Sequence, residues 1–315
     1  MDIVFMGTPD FAVPSLEALY ASGYNVTAVF TQPDKRQGRG YRLTPPPVKE
    51  CACRNGTVVY QPNSLKNGDE AEKTLDYLKK LAPDIIVVVA YGKILPKELL
   101  EIPKIGCINV HASLLPKYRG AGPIQWSVLN GEKVTGVTTM FMAEGLDTGD
   151  MLLKEEITIN ENETASELHD RLSIVGARVL LKTLSELEKG GLKAQKQDDC
   201  LSCYAPMLSK ELCPVDFSKT SREVHNQIRG LSDWPCATAV LNGKKIKLFK
   251  SEIINEEKYN SIFGEIVDEK SFVVSCKKGF VRIIELQAEG GKRMRSVDYL
   301  RGNPVKKGTV LTKCD

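Results

Sequence analysis

Short apolar runs rich in β-branched residues punctuate the first half of the chain: DIVFM, NVTAVF, TVVY, DIIVVVA, CINV and GVTTMFM. Between several of them the apolar spacing lengthens to three or four residues, which predicts helices over Pro9–Ala21 and Glu70–Leu81. Near-continuous apolar strands alternating with helices predict a doubly wound α/β domain, its mostly parallel sheet covered on both faces. Asp84–Ala90 is the clearest central strand, because a half-exposed strand would not carry IIVVVA.

The pattern changes after MLLKEEITI. Thr164-Ala-Ser-Glu167 has the form of a capping box, and Leu168, Leu172, Val175 and Val179 follow at helical spacing on one face. Gly190-Gly191 stops this helix, and LKAQKQDDCLSCYAPMLSKELC has no strong period, so it reads as a linker. Val224, Ile228 and Leu231 then mark a short helix. TAVLN, KIKLFKSEII, GEIV, SFVVSC and FVRIIELQ succeed one another with tight turns at Asn242-Gly243 and Lys278-Gly279. Strands without intervening helices predict a small antiparallel β-barrel of the OB type. The expected division is a first domain over 1–189, a linker over 190–206 and a barrel over 207–315.

Composition narrows the class. With 315 residues, 42% hydrophobic and 26% charged, the chain can bury a large core across about two domains. It has no apolar run of membrane-spanning length, and MDIVFMGTPDFAV lacks the basic start and cleavage site of a signal peptide. The expected compartment is the cytoplasm. Nine cysteines, an odd number, fit free buried thiols there. Cys51 with Cys53 and Cys200 with Cys203 have no histidine nearby, so no metal is expected. Net charge is +3, but from Ala205 onward there are 20 Lys+Arg against 14 Asp+Glu. A basic C-terminal third suits an anionic partner or a merely solvated lysine surface.

The candidate chemistry lies in CINVHASLLPKYRG. Asn109 and His111 are two apart at the end of an apolar strand, so an amide and an imidazole leave it facing one side. Ligands in open parallel sheets bind at the carboxyl ends of strands. The loop AEGLDTGDML, after GVTTMFM, is expected at such an end too, and offers Asp147 or Asp150 as a carboxylate partner. An amide donates to a developing oxyanion, an imidazole moves a proton near neutral pH, and a carboxylate would fix its tautomer and support its charge.

Other chemistries fit less well. The first strand runs into Gly7-Thr-Pro-Asp-Phe-Ala, where Pro9 and Phe11 stand in place of dinucleotide-binding glycines, which disfavours a nicotinamide enzyme. No G-x-S-x-G elbow occurs, and Ser113 follows His111 too closely to be its nucleophile. Of the three histidines, His169 and His225 fall on predicted helices, which argues against a metal-hydrolase cluster. The set suits direct transfer of an acyl-like group to an amine.

GTPDFA, FTQPDKRQGRG, PPPVK, VVVAYGKILP, INVHASLLPKYRGAGPIQW and GLDTGDML, in this order and spacing, resemble the 10-formyltetrahydrofolate-dependent formyltransferases. The TQPDKRQGRG stretch and the C-terminal barrel are similar to the methionyl-tRNA branch of that family. The resemblance is dense over about the first 150 residues and weaker beyond. Ala112 is a departure, standing where the family usually has glycine or proline.

The resemblance implies a formyltransferase-type Rossmann-like domain followed by a tRNA-binding barrel. It implies transfer of formyl from 10-formyltetrahydrofolate to the α-amino group of methionine on initiator tRNA, by a monomer. Its catalytic residues would be Asn109, His111 and Asp147, the last in preference to Asp150. Ser113, Leu114, Leu115 and Pro116 would contact folate, with Tyr91, Ile94 and Leu95 lining the pterin pocket. Lys35, Arg36, Arg39 and Arg42 lie on a basic glycine-containing stretch that is either a solvated loop or a grip on acceptor-stem phosphates. Two other expectations stand beside this one: a formyltransferase for a small amine, and a non-enzymatic RNA-binding protein.

Overall fold

The structure, a computed structural model, describes residues 1–37, 42–257 and 261–314. The chain forms two compact units, the first made of Met1–Gly120, Gly136–Ile157 and His169–Tyr204. The second takes Ala121–Thr135, Thr158–Leu168 and everything from Ala205 onward.

In the order of the chain, the elements are β1 (Asp2–Gly7), α1 (Val13–Ala21), β2 (Asn25–Phe30), β3 (Lys35–Gln37), β4 (Arg42–Thr44), α2 (Pro47–Arg54), β5 (Val59–Tyr60), α3 (Asp69–Leu81), β6 (Ile85–Val89), α4 (Lys97–Leu100) and β7 (Gly106–His111). Then follow α5 (Pro123–Leu129), β8 (Val134–Phe141), β9 (Met151–Thr158) and α6 (Ala165–Glu188). Seven strands form one sheet in the order β5-β2-β1-β6-β7-β8-β9. From β5 to β7 every neighbouring pair is parallel. The IIVVV run of β6 lies in the middle and is buried along its whole length, each such side chain contributing about 1.5–3 kcal/mol of burial. One face packs Val4, Met6, Ile86 and Val88 under Leu78 of α3 and Leu99 of α4. α6 closely approaches β7 and β8, where a Cβ at Gly176 would meet Val110 Cγ1 at 3.1 Å.

Three local readings are adjusted. The helix expected from Pro9 opens as a 3₁₀ turn over Asp10–Ala12 and becomes α only at Val13. Pro14 then sits in the first turn, where its missing N–H leaves no bond unmade. TVVY supplies only the two residues of β5. GVTTMFM lies in β8, which runs antiparallel to β7, with Thr138 opposite His111 and Phe141 opposite Ile108. The loop after it therefore leaves from the far end of β7, not from the carboxyl end of a parallel strand, and must fold back to reach His111.

The second unit holds α7 (Ser221–Gly230), β10 (Ala237–Leu241), β11 (Lys244–Asn255), β12 (Ile266–Asp268), β13 (Val273–Ser275), β14 (Phe280–Ala288), β15 (Met294–Arg295) and α8 (Ser296–Gly302). The main strands pair antiparallel in the order β10-β11-β14-β13-β12. Residues 309–312 close the sheet. Thr312 exchanges both backbone hydrogen bonds with Val240 of β10, while Leu311 N donates to Gly264 O and Ile266 N to Thr309 O beside β12. The result is the small barrel expected from the strand spacing. The Asn242-Gly243 turn has φ of 50° and 75°, the paired left-handed conformation of a tight hairpin. α7 ties in the segment 158–168: the buried His225 donates from Nε2 to Glu161 O (3.0 Å) and Arg229 from Nη1 to Glu163 O (3.2 Å).

Candidate active site

Asn109 and His111 project from the end of β7 within the first unit. The His111 ring is buried, and its Nε2 lies 2.9 Å from the carbonyl oxygen of Tyr118. A carbonyl only accepts, so Nε2 carries a proton and donates this bond. Nδ1 faces Asp147, whose Oδ2 is 3.7 Å away. The tautomer is thus set by a backbone carbonyl, where the motif alone suggested the carboxylate.

Asp147 is held from two sides. The backbone N–H of Gly120 donates to its Oδ2 (2.8 Å), and the Asn109 amide approaches its Oδ1 (3.5 Å). Tyr118 and Asp147, which flank the imidazole, both have left-handed backbones, with φ of 59° and 52°. Such residues cost about 1–3 kcal/mol each and gather at functional sites.

The hairpin loop 142–150 brings Asp147 back over β7 because Gly149 permits it. A Cβ at Gly149 would stand 1.7 Å from the carbonyl oxygen of Phe141, so no other residue fits this conformation. Phe141 N donates to Asp150 O (2.9 Å), closing the neck of the loop. Asp150 thereby contributes backbone to the turn, and Asp147 contributes the carboxylate beside the imidazole.

The segment after His111 is tied to the neighbouring strands. Ser113 is fully buried and its hydroxyl donates to Lys117 O (2.7 Å). Thr138 Oγ1 donates to Ser113 O (2.7 Å) and accepts from Leu115 N (3.1 Å). Lys154 Nζ donates to Leu115 O. Leu115 is buried with Met140 and Met151, while Leu114 and Pro116 remain half-buried. Of the candidate residues in the 91–95 segment, Tyr91 and Leu95 are buried in the core and Ile94, 77% exposed, faces outward. Burial without a partner for the hydroxyl raises the Tyr91 phenol well above its usual range.

Of the basic stretch, Lys35 and Arg36 are exposed on β3, which pairs antiparallel with β4, beginning at Arg42. Arg39 lies outside the described residues. The base of this hairpin is pinned: Lys49 Nζ donates to both Asp34 oxygens (2.8 Å each) and to Gln61 Oε1 (2.7 Å). Hydrogen bonds from Lys49 and Gln61 hold the Asp34 carboxyl below its ordinary pKa.

Two residues absent from the sequence reading belong to this site. Gln197 Nε2 donates to the backbone carbonyls of Asp147 and Gly149, both at 2.8 Å, and Arg119 Nε donates to Gln197 Oε1 (3.0 Å). Arg119 stood inside the motif without a role. Gln197 lies in a stretch without period, where no signal marks it. The nine cysteines are unpaired by disulfides. Burial pushes the Cys107 and Cys276 thiols up to about 12, so these are inert packing groups.

A mostly parallel α/β sheet with an amide, an imidazole and a carboxylate gathered beside one strand end is a layout for group transfer. The family model described as formyl transferase matches residues 1–184, and its C-terminal domain counterpart matches 207–304. The chain belongs to the formyl transferase family. Over 318 residues it is 50% identical to the methionyl-tRNA formyltransferase of Ruminiclostridium cellulolyticum, covering 99% of this chain and 100% of that protein. The methionyl-tRNA formyltransferase of Caldanaerobacter subterraneus is likewise 50% identical, over 99% of this chain and 100% of its own. Among solved structures, an N-formyltransferase from Helicobacter canadensis, in complex with folinic acid and dTDP-3-aminofucose, superposes with a TM-score of 0.69. It is 24% identical and covers 89% of this chain and 98% of its own, which is a likeness of fold.

Proposed function

We propose that this chain transfers the formyl group of 10-formyltetrahydrofolate to the α-amino group of methionine carried on initiator tRNA, with Asn109, His111 and Asp147 as the reacting machinery. The observation that carries the chemistry is the buried imidazole whose Nε2 lies 2.9 Å from Tyr118 O and whose Nδ1 lies 3.7 Å from the Asp147 carboxylate. Two relatives that are half identical over their whole length and named methionyl-tRNA formyltransferases support the acceptor.

The amine nitrogen attacks the formyl carbon and the carbonyl becomes an oxyanion. An asparagine amide has two N–H donors. One is turned to Asp147, leaving the other for the oxyanion. The proton shed by the attacking nitrogen passes to His111 Nδ1. The resulting imidazolium has Tyr118 O on one N–H and the Asp147 carboxylate beside the other, which stabilises its charge. The bond between the formyl carbon and the folate nitrogen then breaks, and that nitrogen takes the proton back from His111. The products are formylmethionyl-tRNA and tetrahydrofolate, with no net proton gained or lost. A free α-amino group has a pKa of about 7.7–8.0, so a sizeable fraction is already nucleophilic near neutrality.

Folate binding falls to the 113–116 segment bridged to Thr138, where Leu114 and Pro116 are half-buried and the buried Ser113 and Leu115 hold the segment in place, and to Ile94 as the exposed apolar side chain of its stretch. Tyr91 and Leu95 support that stretch from beneath. Lys35, Arg36, Arg39 and Arg42 grip acceptor-stem phosphates, and the basic barrel from 207 onward, joined by 190–206 to a catalytic domain over 1–189, adds to tRNA affinity. Free thiols throughout fit work in the cytoplasm.

Acceptor range tests this reading. Supplied with 10-formyltetrahydrofolate, the enzyme should formylate methionyl-tRNA far faster than amino sugars or free methionine at equal concentration. Equal or faster reaction of a small amine would replace the tRNA reading with a small-amine formyltransferase.

A further inference from the structure

Residues 195–203 cross the candidate site as a strap. Gln195 exchanges both backbone hydrogen bonds with Met151, just past the loop that carries Asp147, each at 2.8 Å. At the other end Arg119 N donates to Cys203 O (2.9 Å) and Tyr118 N approaches Cys203 Sγ (3.2 Å). Between these anchors lies Gln197. Its amide N–H groups reach the carbonyls of Asp147 and Gly149, and its carbonyl accepts from Arg119, whose Nη2 also pairs with Asp199 at 2.7 Å. The strap therefore touches the two segments that fix the catalytic groups. Residues 118–120 supply the carbonyl that holds His111 and the N–H that holds Asp147, and residues 147–149 present the carboxylate.

We infer that Gln197 is a positioning residue for formyl transfer: it locks the Asp147 loop to the Tyr118–Gly120 segment, so that the carboxylate stays beside His111 Nδ1. Asp147 has a left-handed backbone, and the two carbonyls to which Gln197 donates bracket the turn that holds it there. A glutamine suits the task because its one amide donates and accepts at once while adding no charge beside the imidazole. A glutamate would keep the bond from Arg119 and set a carboxylate oxygen against two carbonyls. The proposal rests on the reading of Asp147 as a member of the catalytic set.

The experiment uses the full chain, with charged initiator tRNA and 10-formyltetrahydrofolate both varied. Gln197→Ala and Gln197→Met remove the bonds to Asp147, Gly149 and Arg119, the second keeping the bulk so that folding survives a simple need for filling. Gln197→Glu keeps only the bond from Arg119. Each should lower kcat about 10–100-fold, the scale of a misplaced catalytic group, while KM for either substrate moves less than about twofold. In an Asp147→Asn background the same substitutions should cost less than about twofold, because groups acting through one another are not additive. Full activity in Gln197→Met and Gln197→Glu overturns the proposal, as does an equal loss with Asp147 present or replaced. If Asp147→Asn alone retains normal turnover, the reading of the site fails first, and the positioning role with it.

Discussion

The carbonyl oxygen of Tyr118 lies 2.9 Å from His111 Nε2, and that bond decides which ring nitrogen is free to take a proton. Tyr118 offers the carbonyl from a left-handed backbone, φ 59°, in a segment whose next residue is bonded to Cys203. In the proposed mechanism Nδ1 takes the proton, and the Asp147 carboxylate 3.7 Å away balances its charge. Replacing His111 with alanine should reduce turnover about 10²–10⁴-fold while folate affinity, read by equilibrium dialysis, stays nearly unchanged. Asn109→Ala should do the same through the lost oxyanion donor. Near-normal turnover in either variant removes that residue from the mechanism.

Asp147→Asn should cost much more activity than Asp150→Asn. The Asp147 carboxylate is bonded to Gly120 N and faces the imidazole, whereas Asp150 accepts at its backbone carbonyl from Phe141 N. Steady-state kinetics on the two variants decides the order. A larger loss at Asp150 would reassign the loop.

Gly149→Ala should distort that loop even though alanine adds one methyl group. The new Cβ would overlap the Phe141 carbonyl, so the neck must open, at about 1–3 kcal/mol. Both the melting temperature and kcat should fall. Unchanged values would show that the turn relaxes without moving Asp147.

How much of this was legible in the sequence differs from element to element. Asn109 and His111 could be paired because a strand has period two. The barrel was visible in strands separated by turns such as Asn242-Gly243. The direction of β8 was not, since an apolar run has no polarity of its own, and the route by which Asp147 comes back depends on contacts 38 and 50 residues away, at Asn109 and Gln197. Gln197 sits among polar neighbours in a segment without repeat, and its role exists only in the folded chain. Tyr91 illustrates the converse. Its motif suggests a pocket wall, but the side chain is 1% exposed among Leu78, Leu95 and Leu99, because the strand before it delivers it into the core.

The second unit should weaken in mild acid. Burial lowers the His225 pKa from 6.5 to about 4, and the neutral ring is fixed between Ser251 Oγ and Glu161 O. The unfolded chain takes up the proton first, so stability is full above about pH 6.5 and is lost as pH falls toward 4. The loss is about 1.4 kcal/mol per pH unit across that window, about 3 kcal/mol in all. Urea unfolding at pH 7.5 and 5.5 should differ accordingly, and His225→Asn should flatten the difference. An undiminished pH slope in that variant would assign it to other groups.

Arg39→Ala with Arg42→Ala should weaken charged-tRNA binding and reduce the log–log salt slope by up to about 0.9 per residue. Folate affinity should not move, because these residues would act through phosphates. Filter binding across a salt series is the measurement, and a slope identical to that of the parent would make the basic stretch a solvated connection.

The most direct test of the central claim is a single-turnover reaction. Enzyme in excess over charged initiator tRNA is mixed with 10-formyltetrahydrofolate and quenched over time, and the methionine ester and the folate are both analysed by mass spectrometry. Formylmethionyl-tRNA should appear at the same rate as tetrahydrofolate, one for one, with both slowed together by about 10²–10⁴-fold in His111→Ala. Methionine that stays unblocked while folate is consumed, or equal formylation by the parent and His111→Ala, would contradict the account.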